Sequence, residues 1–221
     1  MHAGTRIPTL EEVLDLITCY GDDGVTINLE TKLDPERRNE TLSVETYIDR
    51  IVPILQAKGF AERTYIQSFD WRTLIGIHEK FPSIPIVALL DTTTVVPVAD
   101  GSFPWLGGIQ LDTEFDNDWV AAAASIGSKV LSPWHGNGTS VNSPDYEPFT
   151  TKDVVDRAHA AGMQVIPWTV DTEVTISKLI DDGVDAIISN YPERVIWVGK
   201  QRGLSVGRAR SPSKPECLAN A

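Results

Sequence analysis

Alternating helix and strand signals predict an α/β fold, a parallel sheet covered by helices and closed as a (β/α) barrel. Three observations carry this. Amphipathic stretches of helical period recur, most of them ended by a glycine. Short continuous apolar runs follow those glycines, the pattern of strands buried on both faces. No Gly-x-Gly-x-x-Gly turn follows the first such run and no P-loop occurs, which disfavours an open doubly wound sheet.

The elements follow in order. Thr9-Leu10-Glu11-Glu12 is a Thr-x-x-Glu capping box after Pro8, and Leu10, Val13, Leu14 and Ile17 then share one face. Gly21 and Gly24 end this helix, and Val25 to Leu29 reads as a buried strand. Val44 to Lys58 is a helix that Pro53 should start, kink or split. Thr64 to Gln67 is a strand, Arg72 to Lys80 a helix, and Ile84 to Leu90 a strand. Gly108 to Leu111 is a shorter strand candidate. An Ala-rich helix spans Asn117 to Ile126, and a strand spans Lys129 to Ser132. Thr150 caps the next helix, Gln164 to Pro167 is a strand, Thr172 caps another helix, and Asp185 to Ser189 is a strand. Pro192 starts a final helix to about Lys200.

The chain has 221 residues, of which 42% are hydrophobic and 23% charged, an ordinary globular composition. Its 19 basic and 31 acidic residues give a net charge of −12, so a nucleic-acid backbone would be repelled. A small anionic substrate held through a metal ion stays open. No apolar run approaches the ~20 residues of a membrane span. Met1-His2-Ala3-Gly4 leads directly into polar sequence, so no signal peptide is expected. Two cysteines, Cys19 and Cys217, are too few for a disulfide framework or a zinc cluster, and Cys19 is expected to pack. Residues 1–203 form the expected barrel portion, and 204–221 a disordered tail of small, polar and basic residues. Residues 136–148 are a loop expected over the rim.

A parallel barrel carries its site at the C-terminal ends of its strands. The residues just after the strands are Glu30, Thr31 and Lys32; Gln67 to Trp71; Asp91; Asp112 and Glu114; Trp134 and His135; Trp168 and Thr169; Ser189 and Asn190. Glu30 and Lys32 stand two apart and share a side. A carboxylate there can hold Mg²⁺ or Ca²⁺, and an ammonium can bind a phosphate oxygen. The alternative is an internal Glu–Lys ion pair. Trp168 is either a pocket wall or a barrel-top core aromatic. Asp70 is read as a helix N-cap. His78 and His159 fall mid-helix, and His135 faces either the site or solvent. None of these histidines belongs to a recognisable catalytic order, so no catalytic residue is assigned.

Several segments, in order, resemble the glycerophosphodiester phosphodiesterases. They are Ile7-Pro8-Thr9-Leu10-Glu11-Glu12-Val13-Leu14, Ile27-Asn28-Leu29-Glu30-Thr31-Lys32 and Ile66-Gln67-Ser68-Phe69-Asp70-Trp71, then Val165-Ile166-Pro167-Trp168-Thr169-Val170 and Gly183-Val184-Asp185-Ala186-Ile187-Ile188-Ser189-Asn190-Tyr191-Pro192. The resemblance implies a (β/α)8 TIM-type barrel that hydrolyses glycerophosphodiesters to glycerol 3-phosphate and an alcohol. It implies a divalent metal, Mg²⁺ or Ca²⁺, with Glu30 as a ligand, Lys32 on the phosphate and Trp168 as a substrate wall. The family's His-Arg pair, Glu-x-Asp metal pair and second histidine all precede its Ile-Pro-Thr-Leu-Glu-Glu segment, and only six residues precede Ile7 here. Asn190 stands where the family commonly has aspartate, and Asp171 where it commonly has asparagine.

The expectation is therefore an N-terminally truncated barrel of about six of the eight βα units, inactive alone, since such barrels need ~250 residues. One alternative is a non-catalytic barrel remnant that binds a phosphodiester or a protein, its open strand edges favouring association. Another is a lysophospholipase D- or sphingomyelinase D-like lipid phosphodiesterase. Asn39-Glu40-Thr41 and Asn137-Gly138-Thr139 are glycosylation sequons that would suit a secreted parent.

Overall fold

The computed structural model describes residues 6–207. His2 and the greater part of the expected tail, residues 208–221, lie outside them. Helix α1, Leu10–Cys19, starts at a complete capping box. The Glu12 amide donates to Thr9 Oγ1 at 3.3 Å, and the Thr9 amide donates to Glu12 Oε2 at 2.8 Å. Strand β1, Ile27–Glu30, follows, then α2, Val44–Ala57. Pro53 neither starts nor splits α2. Its ring lies on the exposed face, so the hydrogen bond it removes is on the water side.

The chain continues through β2 (Thr64–Ser68), α3 (Trp71–Lys80) and β3 (Ile86–Leu90). Next come α4 (Leu111–Phe115), α5 (Trp119–Ser125) and β4 (Val130–Pro133). The last elements are α6 (Lys152–Ala160), β5 (Gln164–Val165), α7 (Glu173–Asp182) and α8 (Pro192–Gln201). All four strand pairings are parallel, and the sheet order is β1-β2-β3-β4-β5. Strand order equal to chain order has no reversal point, which is the winding of a barrel and not of a doubly wound sheet. The fold is α/β, a part of a (β/α)8 barrel.

Three expectations on elements change. Gly108 to Leu111 is not a strand: Gly107 and Gly108 take φ of 72° and 105°, and Leu111 opens α4. Helix α6 is capped by Thr151, whose Oγ1 accepts from the Val154 amide, while Thr150 is buried and donates to the Trp134 carbonyl. Asp185 to Ser189 runs beside β5 without forming a regular strand. The Asp185 amide reaches the Val165 carbonyl at 3.0 Å and the Ile188 amide reaches that of Pro167 at 2.9 Å. The Val165 amide, however, donates to the Asp185 carboxylate at 2.7 Å, so a side chain takes the place of the ladder's next carbonyl.

The core fills the space between sheet and helices. Leu14, Ile48, Val52, Leu55, Ile66, Leu74, Ile77, Ile86 and Leu131 are all buried in one cluster. Each such side chain contributes about 1.5–3 kcal/mol. Val170, Ile176, Leu179 and Val198 form a second cluster beneath α7 and α8. Beyond α8 the chain stays packed for a few residues. The Leu204 amide donates to the Gly199 carbonyl, and Val206 Cγ1 lies 2.8 Å from where a Cβ on Gly199 would stand. Cys19 is the last residue of α1. Among the described residues no helix is long and apolar enough to cross a membrane.

Candidate active site

The two-residue alternation of β1 places the first polar group. Ile27 and Leu29 pack on the core, which turns Asn28 and Glu30 to the opposite face, toward the barrel interior. Asn28 Nδ2 donates to Gln67 Oε1 at 2.7 Å, and Glu30 is in register with Gln67. Lys32 Nζ lies 2.5 Å from Glu30 Oε1, so the ion pair that the spacing allowed is formed. That oxygen is shielded from solvent, yet no hydrogen bond of good geometry reaches it. The contact is thus one of charge without alignment. Because the Lys32 side chain is 75% exposed, the pair contributes at most about 1 kcal/mol.

A divalent metal of the Mg²⁺ or Ca²⁺ type takes six or more oxygen ligands. Among the described residues no group of three or more His, Cys, Asp or Glu is placed to hold one. Glu30 alone could offer only one carboxylate, and the described residues do not fit a complete metal centre.

Trp168 lies after β5, bridged to Trp134 at the end of β4. Its Nε1 donates to the Ser132 carbonyl at 2.9 Å, and its ring meets Phe69 edge to face, centroids 5.4 Å apart. Phe69 also meets Trp105 edge to face at 6.5 Å. Trp105 Nε1 donates to Glu36 Oε1 at 2.8 Å. Sequence reading missed Trp105, because it sits in the long β3–α4 connection, which has no period. The signal that could have found it is Phe103-Pro104-Trp105-Leu106, an aromatic cluster just before a glycine pair.

The other strand-end residues have structural partners. Asp70 is the N-cap of α3 as expected, and its buried carboxylate also pairs with Arg72. Asp91 closes its own turn, accepting from the Thr93 and Thr94 amides. Asp112 and Glu114 lie on α4, exposed, because the strand expected before them is absent. His135 is buried rather than in solvent. It stacks on Tyr146 at 5.7 Å, and its Nδ1 lies 3.3 Å from Tyr146 Oη. Burial pushes its pKa below the usual histidine range, against the opposing field of Asp171. His78 packs over Gly127, and His159 Nε2 lies 2.9 Å from Asp185 Oδ2. The 136–148 loop bonds back through the Val141 amide to Thr175 Oγ1 on α7.

A groove of about 470 Å³ runs between α2 and α3, past Leu42, Val44, Ile48, Arg72 and Gly76, and contains none of Glu30, Lys32 or Trp168.

A sequence profile of the glycerophosphoryl diester phosphodiesterase family matches residues 1–194. The chain belongs to this family. It is 24% identical over 201 residues to a glycerophosphodiester phosphodiesterase of Caldanaerobacter subterraneus, covering 91% of this chain and 65% of that one. It is 25% identical over 202 residues to one of Bacillus subtilis, covering 87% of this chain and 54% of that one. The crystal structure of a putative glycerophosphoryl diester phosphodiesterase from Silicibacter pomeroyi superposes with a TM-score of 0.69 at 25% identity, over 92% of this chain and 60% of that one. The chain thus spans between half and two thirds of the length of these relatives. Within this phosphodiesterase family the two departures Asp171 and Asn190 turn out to be partners. Asn190 Nδ2 donates to Asp171 Oδ2 at 2.9 Å, and the Asn190 amide donates to Asp171 Oδ1 at 2.9 Å. Burial raises the pKa of Asp171, but the hydrogen bonds from Asn190 and Ser189, with the field of Arg194, outweigh it and hold the carboxyl below the usual range.

Proposed function

We propose that the rim formed by Glu30, Lys32 and Trp168 is part of a glycerophosphodiester site, at which the family's reaction yields glycerol 3-phosphate and an alcohol. The observation that supports this is Glu30 beside Lys32 at the C-terminal end of β1, on the interior face, in a chain of this family. In this reading the Lys32 ammonium holds a phosphate oxygen, Trp168 walls the organic part, and Glu30 supplies one oxygen to a divalent metal whose other ligands come from outside the described residues. Phosphodiester cleavage needs charge neutralisation and a proton for the leaving alkoxide. Among the described residues, His135 is buried against Tyr146, and His78 and His159 sit on helices, so none is assigned as the acid or base.

The chain by itself is therefore a binder of phosphodiesters with little or no turnover. Calorimetry with glycerol 3-phosphate and a coupled assay for its release from glycerophosphocholine, with and without Mg²⁺ or Ca²⁺, test the two halves separately. Binding that weakens about tenfold in Lys32→Met, with release at background, is the expected pair of results. Absence of binding would overturn the site, and rapid metal-dependent release would overturn the inactivity.

A further inference from the structure

We propose that Asn137 is a self-modifying residue, at which the Gly138 amide nitrogen closes a succinimide ring that opens to isoaspartate and releases the loop over His135. Such a ring closes when a backbone nitrogen is held beside a side-chain amide carbon and is not tied up elsewhere. Six asparagines lie among the described residues, and the amide that follows each one decides which can react. Leu29, after Asn28, sits in the β1–β2 ladder. The Glu40 amide, after Asn39, donates to the Arg37 carbonyl at 2.9 Å, and the Asp118 amide, after Asn117, to that of Phe115 at 2.8 Å. The Ser143 amide, after Asn142, donates to the Ser140 carbonyl at 2.9 Å. The Tyr191 amide, after Asn190, donates to Ser189 Oγ at 3.0 Å. Among these six, only at Asn137 does the following amide point back at its own side chain. The Gly138 amide donates to Asn137 Oδ1 at 3.0 Å, which sets the nitrogen beside Cγ, one bond further in.

The surroundings favour ring closure. Gly138 has no Cβ to shield its nitrogen, and the nearest atoms to where one would stand are 3.8 Å away. Asn137 is exposed, so water reaches the ring. The steps balance with water as the co-reactant. The Gly138 nitrogen gives its proton to solvent base and bonds to Asn137 Cγ, and the Cγ–Nδ2 bond breaks as ammonia leaves. Water then opens the imide. Opening at Cγ gives aspartate, and opening at the former backbone carbonyl gives isoaspartate, whose main chain runs through the side chain. Either product adds a negative charge and removes the asparagine of Asn137-Gly138-Thr139. Isoaspartate does more, because this loop closes tightly. The Asn137 amide donates to the Glu147 carbonyl at 2.8 Å, and Gly136 bridges Pro148. A Cβ on Gly136 would stand 2.6 Å from the Glu147 carbonyl oxygen and 2.9 Å from Tyr146 Oη. That neck holds Tyr146 over the His135 ring, with its hydroxyl donating to the His135 carbonyl at 3.0 Å. An extra backbone carbon at position 137 shifts the register of the neck, and Tyr146 comes free.

The test ages the full 221-residue chain at neutral and mildly alkaline pH, and peptide mapping by mass spectrometry locates each conversion and its linkage. Conversion should concentrate at Asn137 while the other described asparagines stay intact. It should quicken as the pH rises, because the nitrogen must lose a proton. Unfolding in urea frees the Ser143 amide, so Asn142 should then begin to convert. Gly138→Ala should slow the reaction about tenfold, and Asn137→Gln, which needs a larger ring, should stop it on the same time scale. Near-ultraviolet circular dichroism checks that each variant is folded. The converted chain, separated by anion exchange, should be cut by chymotrypsin after Tyr146 about tenfold faster than the unaged chain. Asn137→Asp has the same added charge with a normal backbone, and should be cut like the unaged chain. Folded protein in which Asn137 stays unchanged, or in which conversion spreads evenly over the asparagines, overturns the site. A converted chain cut no faster than Asn137→Asp overturns the release of the loop.

Discussion

Asp171 and Asn190, the two positions at which the resemblance leads one to expect the reverse residues, are hydrogen-bond partners, and that pairing gives a physical reason for the two to change together. An aspartate–asparagine pair works with either partner in either place, because the amide donates wherever the carboxylate stands. Asn190→Asp would set two carboxylates 2.9 Å apart, and Asp171→Asn would remove the charge that accepts from the Asn190 amide. Each single change should cost about 1–2 kcal/mol, and the double exchange should recover most of it. A double-mutant cycle by denaturant unfolding measures this, and purely additive losses would sink the pairing argument. His135 gives a second prediction at this scale. Its folded pKa lies below the unfolded value of about 6.5, so the unfolded chain binds more protons in that range. Stability is therefore fully present above about pH 6.5 and falls as the pH drops through that value toward the lower folded pKa. The slope of the melting temperature between pH 7 and 5 should shrink in His135→Gln. The sequence left open whether His135 faced the site or solvent, because a strand end allows either. The antiparallel contact of Gly136 with Pro148 folds the following loop back and brings Tyr146 over the ring.

At the scale of elements, what the sequence showed best were features whose signal is local. The α1 capping box, the Asp70 cap and the strand-end position of Glu30 depend on residues within a few places of each other. The β3–α4 connection was misread because Gly108 to Leu111 has strand composition, while left-handed glycines and the buried Phe103 and Leu106 decide its path. The Trp105–Glu36 hydrogen bond spans 69 positions and has no local signature. Gly107 tests this account of the connection. Gly107→Ala needs a left-handed alanine whose methyl meets Ile75 and the α3 backbone, and should cost about 2–3 kcal/mol. Gly101→Ala, also at positive φ but with open space around it, should cost only about 1–2 kcal/mol. Thermal unfolding of the two variants separates packing from backbone strain. Equal losses would mean that the turn is not packed on α3.

At the scale of the molecule, the sheet ends where β1 has a partner on one side only. The Thr31 amide bonds to the Gln67 carbonyl, so by alternation Leu29 also faces β2, while the Asn28 and Glu30 amides point to the other edge. Among the described residues no strand pairs with that edge. Exposed Val13 and Leu16 on α1 and Val25 before β1 add apolar surface on the preceding segment. A parallel edge with free donors and apolar neighbours is a template for another strand. The purified chain should therefore associate with a second copy as its concentration rises, and sedimentation velocity across a wide concentration range measures this directly. Asn28→Pro removes an outward amide without breaking the β1–β2 ladder, and proline is tolerated on an edge strand. It should shift the equilibrium toward monomer while leaving the β2–β3 and β3–β4 pairings protected from hydrogen exchange. A wild-type chain that stays monomeric at high concentration and melts cooperatively would show that the β1 edge is stable uncovered, and the argument from open edges would fail.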